Sequence, residues 1–178
     1  MDRRSVIKNL VLFSGAVVLL PSCITEEKKA SIRLENLAVS EGQERVLAEV
    51  AETILPATDT AGAKELGLHL FVLKMLDDCH NKQDQKAFMT GLAQFEEMVK
   101  KQYGSAFPDC SLEQRQEAIA ALNNKKAPQD VLTFYSIMKN ETIKGYLNSE
   151  LVMTKLRVYE LIPGRYDGYY PVSKTLVS

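Results

Sequence analysis

The chain is poor in groups that perform chemistry. It has two histidines and three cysteines in 178 residues, scattered at Cys23, His69, Cys79, His80 and Cys110. No spacing among them fits a zinc, haem or iron–sulfur site. A glycine-rich dinucleotide turn, a Walker A loop and a nucleophile elbow are also missing. No base–nucleophile pair is visible around His69, so the residues give no case for a catalytic centre. Charge of one sign is lacking too, with 22 basic against 23 acidic residues. Binding to nucleic acid needs clustered Lys and Arg, and no such partner is expected. Internal repeats, low-complexity segments and alternating strand patterns are absent.

Long apolar runs are missing as well, apart from a short one near the start. Leu10 to Leu20 is apolar and follows Asp2-Arg3-Arg4-Ser5-Val6-Ile7-Lys8. A run of about eleven residues is too short to span a ~30 Å hydrocarbon core as a helix. Its length and flanks fit a signal peptide. Arg3, Arg4 and Lys8 resemble a twin-arginine export signal, the kind used for cargo that folds before crossing; an ordinary secretory n-region is the alternative. Leu20-Pro21-Ser22-Cys23 resembles a lipobox, which makes Cys23 the lipidated first residue of a mature envelope protein. The boundaries expected are a signal peptide over 1–22, a polar tether over 23–39 and one domain over 40–178. Setting aside Asp2, Arg3, Arg4 and Lys8 leaves 19 basic and 22 acidic residues. A domain of this size can bury about two-thirds of its unfolded-chain surface. Cys79 and Cys110 then lie in an oxidising compartment, where a disulfide and two separate thiols both stand as readings.

The rest of the pattern is helical. Ser40-Glu41-Gly42-Gln43 fits a capping box, followed by Val46, Leu47, Val50, Ala51, Ile54 and Leu55 at helical spacing. Pro56 ends that helix. A second helix carries Leu66, Leu70, Leu73 and Leu76 to about Asp78. A third runs from Asn81 to Tyr103 with a Phe88, Leu92, Phe95, Val99 stripe, and Gly104 and Pro108 stop it. Ser111 to Gln114 is another capping box, opening a helix through Ile119 and Leu122. Pro128 opens a fifth with Val131, Leu132, Tyr135, Met138 and Ile143. Ser149 caps a sixth with Met153, Leu156 and Tyr159 inward. The expected fold is an all-α bundle of about six helices.

Asp77-Asp78-Cys79-His80 is the densest group of potential metal ligands, but consecutive helical residues diverge, and a solvated helix end is expected there. Glu65 and His69 are spaced as a surface pair. Two loops are more distinctive. "ILPATDTAGAKELG", Ile54 to Gly67, holds Thr58, Asp59, Thr60 and Gly62, all turn-forming types. "YELIPGRYDGYYPV", Tyr159 to Val172, places Arg165 beside Tyr166, Tyr169 and Tyr170. Tyr and Arg anchor many protein interfaces, so these eight residues are the candidates for docking a partner. A tail that folds back to seal the bundle explains the tyrosines equally well.

These loops, with "FVLKMLDDC" at Phe71 to Cys79 and "GYLNSE" at Gly145 to Glu150, resemble the gluconate 2-dehydrogenase subunit 3 family. The resemblance runs from about Gln43 to Val172. Ala61 stands where the family usually has proline, and Val152 where glycine often follows the Ser-Glu pair. The resemblance implies a small helical exported subunit, non-catalytic and without a cofactor of its own. Its partner would be a flavoprotein dehydrogenase of the glucose-methanol-choline type carrying FAD, in the family often with a cytochrome c subunit. Such a flavoprotein acquires FAD in the cytoplasm and must cross folded, which gives a twin-arginine signal on a cofactorless chain its purpose. A stand-alone helical envelope lipoprotein is the rival reading.

Overall fold

The computed structural model describes residues 29–157 together with 162, 164, 168 and 169. Within them the chain forms five α-helices: α1 Glu41–Ile54, α2 Leu68–Cys79, α3 Lys82–Tyr103, α4 Leu112–Asn123 and α5 Gln129–Leu147. A 3-10 turn, Phe107–Asp109, precedes α4, and a π-helical turn, Val152–Leu156, follows α5. Among the described residues the fold is helical, as the periodicity predicts.

The helix ends follow the expected local chemistry. Both capping boxes form: Ser40 with Gln43 at α1, and Ser111 with Gln114 at α4. Each satisfies two backbone N–H groups that a helix start otherwise leaves orphaned. Asn81 caps α3 through the Asp84 N–H, and Gly104 ends it in the left-handed region at φ 75°. Pro128 sits one position earlier than expected, as the N-cap of α5.

The core is centred where α3 packs along α5, the most extensive helix–helix contact. Phe88, Leu92, Phe95 and Val99 are all fully buried. Phe88 meets Phe134 at 5.0 Å between ring centres, edge to face, and Phe95 meets both Phe107 and Phe134. The two helices approach this closely because residue 91 is glycine. A Cβ there would stand 2.2 Å from the Asp130 carbonyl oxygen and 2.6 Å from the Phe134 Cβ.

Three expectations need correction. Leu66 and Leu70 are only half-buried, and α2 buries Leu68 and Val72 beside Leu73 and Leu76, because the chain turns at Gly67 before the helix starts. The sixth element is a π-type turn that buries Val152, whereas Leu156 is 37% exposed; Tyr159 lies outside the described residues. Residues 29–39 are not a loose tether. Val39 is buried, and Ala30, Ile32, Leu34 and Leu37 pack against the core. Five apolar side chains at these positions are what a polar-average reading overlooks.

Candidate functional site

Of the two candidate loops, the first lies wholly within the described residues. It leaves α1 at Leu55 and is built around one carboxylate. Glu52, in the last turn of α1, accepts the Ala57 N–H at 3.1 Å and the Lys64 N–H at 2.8 Å. The Ala63 N–H donates to the Leu55 carbonyl and the Thr58 N–H to that of Thr60. Gly62 is buried beside this carboxylate. A Cβ at residue 62 would lie 2.6 Å from the Ala57 nitrogen and 2.7 and 2.8 Å from the Glu52 oxygens. The result is a tip, Pro56 to Asp59, that is exposed to solvent yet fixed from inside.

The base of that tip reaches α5. Thr60 Oγ1 lies 3.4 Å from the Tyr146 hydroxyl, and the preceding Gly145 lets α5 pass against Phe71 of α2. A Cβ at 145 would meet the Phe71 ring at 2.7 Å. Three of the four distinctive sequence segments therefore converge on one region. Ile143 and Leu147, one turn apart on α5 and flanking Tyr146, add partly exposed apolar surface. Of the fourth segment, Ile162 and Tyr169 are exposed, and Arg165, Tyr166 and Tyr170 lie outside the described residues. So do Arg3, Arg4, Lys8 and Cys23.

Several charged residues elsewhere are held in structural pairings. Glu49 is buried and takes both Lys64 Nζ and Arg115 Nη1. Burial alone would raise its carboxyl; the bonds and charges of Lys64 and Arg115 outweigh it and hold the group below the usual range. His69 is not paired with Glu65. Its Nε2 lies 3.9 Å from Glu44, and burial, with the nearby Lys64 charge, depresses its pKa against the pull of Glu44.

The Asp77 to His80 cluster separates as helical geometry requires, but Asp77 is not solvated. It is 1% exposed and accepts the Glu35 N–H at 2.8 Å and the Asn36 N–H at 2.7 Å. Asp78 pairs with Lys74, and His80 lies 3.7 Å from both Asp84 and Glu141. Among the described residues no three His, Cys, Asp or Glu side chains are placed to share a metal ion. Cys79 is an exposed free thiol and Cys110 a buried one. No helix among the described residues is long and apolar enough to cross a membrane.

A family model described as gluconate 2-dehydrogenase subunit 3 matches residues 41–164. The chain belongs to that family. The match spans α1 to the π-turn and includes the three segments that meet around Thr60, Phe71 and Tyr146. Residues 29–40 precede it. No curated protein and no solved structure matches the chain.

Sequence reasoning named Thr58, Asp59, Thr60 and Gly62 but missed Glu52 and Tyr146. A signal for Glu52 existed. A carboxylate in the last turn of a helix opposes the helix dipole, and α1 has no basic residue there to offset it. Such a placement asks for a local donor, and the two loop amides supply it.

Proposed function

We propose that this subunit is a non-catalytic escort, tether and stabiliser for an exported FAD-dependent sugar or sugar-acid dehydrogenase of the glucose-methanol-choline type. In this reading the flavoprotein transfers hydride from a carbinol carbon to its FAD, and electrons pass onward, in some complexes to a cytochrome c subunit. The present chain supplies contacts and localisation. Arg3, Arg4 and Lys8 provide export for the folded pair, and a lipid on Cys23 holds it on the periplasmic side of a bacterial membrane.

The observation that carries this reading is the convergence at the loop tip. Segments far apart in sequence, shared with a family of dehydrogenase subunits, meet beside an exposed tip that is rigid from within. A loop fixed before binding loses little entropy when a partner docks, so its contacts translate more fully into affinity. The test is co-purification of the flavoprotein with Asp59→Ala in the first loop and with Arg165→Ala and Tyr169→Ala in the second. Loss of a true anchor costs ~2 kcal/mol or more, roughly thirtyfold in affinity. The partner is expected to be lost while helicity and Tm stay unchanged. Unfolding of the isolated subunit would instead make these loops seals of the bundle.

A further inference from the structure

Residues 29–40 form a closed loop outside the family match, and it is latched at three places. At its neck Lys29 pairs with Ser40 and the Ala30 N–H donates to the Val39 carbonyl at 2.9 Å. Near its start, Ser31 donates through both its N–H and its hydroxyl to the Glu44 carboxylate in the first turn of α1, at 2.5 and 2.6 Å. At its far end, the buried Asp77 carboxylate takes the amides of Glu35 and Asn36, while Asn36 Nδ2 donates to the Asp77 carbonyl and Lys82 Nζ to Asn36 Oδ1. Ile32, Leu34 and Leu37 lie against the core beneath. A compact loop of this kind keeps its ends together by its own packing.

The closed neck has a consequence for where the domain can stand. With the loop latched, Lys29 is held at the neck, six residue steps from Cys23, a reach of at most about 20 Å. With the loop released, the chain is next held at Ser40, the α1 N-cap, seventeen steps from Cys23, a reach of at most about 60 Å. We infer that the 29–40 loop is a standoff latch: Glu44 and Asp77 hold it closed so that the loop and the start of α1 stay within about 20 Å of the lipid surface. This rests on the lipidation of Cys23 proposed above. The docking tip leaves α1 at its other end, so the lipid attachment and the partner contact occupy opposite termini of that helix.

The test uses the full lipidated chain, taken from bacterial membranes and reconstituted into phosphatidylethanolamine–phosphatidylglycerol vesicles. Cys79 is an exposed thiol and Cys110 a buried one, so a donor dye on Cys79 reports energy transfer to acceptor lipids. Wild type is expected to give high transfer. Asp77→Ala combined with Glu44→Ala should speed amide exchange at Glu35 and Asn36 and lose transfer. Faster exchange with unchanged transfer overturns the inference. Should that variant melt outright, a fifteen-residue Gly/Ser insertion after Lys28 decides, because it leaves the latch intact: lost transfer supports a standoff set by the short link, and unchanged transfer overturns it. Fatty-acid labelling of Cys23→Ala reads the lipid separately. If label still enters that variant, the lipidation reading falls whatever the energy transfer shows.

Discussion

At the scale of single residues, two positions carry more than their neighbours. Gly91 sets the α3–α5 distance, since any Cβ there meets the Asp130 carbonyl and Phe134. Gly91→Ala gains up to about 1 kcal/mol of helix propensity. Forcing the helices apart costs typically ~1–3 kcal/mol, with no flexible side-chain end to yield. The expected result is a lower Tm, read by thermal melting, whereas Gly42→Ala, with 3.7 Å to its nearest neighbour, should raise it. Asp77 is the second. Burial acts to raise its carboxyl, but the backbone N–H groups of Glu35, Asn36 and Leu37, with the Lys74 charge, hold it below the ordinary aspartate value. A depressed carboxyl stabilises the fold fully above the unfolded-state pKa of ~3.9 and loses that contribution as pH falls through its lower folded value. Asp77→Asn should cost about 2 kcal/mol at neutral pH, since one amide loses its acceptor. The gap between variant and wild type in urea titrations should close below about pH 4. A gap that stays constant to lower pH would mean that the carboxylate charge does not hold the loop.

At the scale of elements, the parts that were legible in sequence are those with a local cause. Ser40 and Gln43, Ser111 and Gln114, Asn81 and Gly104 each settle a helix end within a few residues, and all six sit as expected. Apolar stripes are read equally well where a helix packs on several sides, as α3 does. Prediction fails where burial depends on residues distant in sequence. Ile143 continues the α5 periodicity but lies 37% exposed at the end of the bundle, and Phe134 takes the core position. Residues 29–39 look polar on average, yet they are drawn onto the bundle by Asp77, about forty residues on, which no local pattern connects to them. The loop after α1 is intermediate: its turn-forming residues are legible in the sequence, whereas its internal clamp is not. Glu52→Ala removes the acceptor of two amides on a half-buried group, and a cost of about 1–2 kcal/mol is expected after allowing for solvent. Hydrogen exchange should quicken at Ala57 and Lys64 while the α3 amides stay protected. Partner affinity should also fall although the tip residues are unchanged. Retained affinity with a loosened loop would show that rigidity of the tip contributes nothing to docking.

At the scale of the whole molecule, the function proposed above gives α1 two working ends. One end receives the chain from Cys23 through the latched loop, and the other presents the tip beside Tyr146. The family match covers α1 and the tip and leaves out the loop before them, and the function proposed for the pair depends on what Arg3 and Arg4 do. In the proposed reading, the need to cross the membrane folded belongs to a flavoprotein loaded with FAD in the cytoplasm, and the small subunit's signal serves it. If the small subunit carries the signal for both, Arg3→Lys with Arg4→Lys should strand the flavoprotein in the cytoplasm along with the subunit. Dehydrogenase activity there should remain intact, because the substitutions touch neither the domain nor its tip. Cell fractionation followed by dye-linked activity measurement separates the outcomes. Periplasmic activity at wild-type level would remove the twin-arginine reading. Stranding of the small subunit alone, with the flavoprotein still exported, would leave the signal in place and remove the escort role. The conservative change to lysine keeps the positive charge an ordinary secretory signal needs, so loss of export under it points to recognition of the arginine pair and not of charge alone.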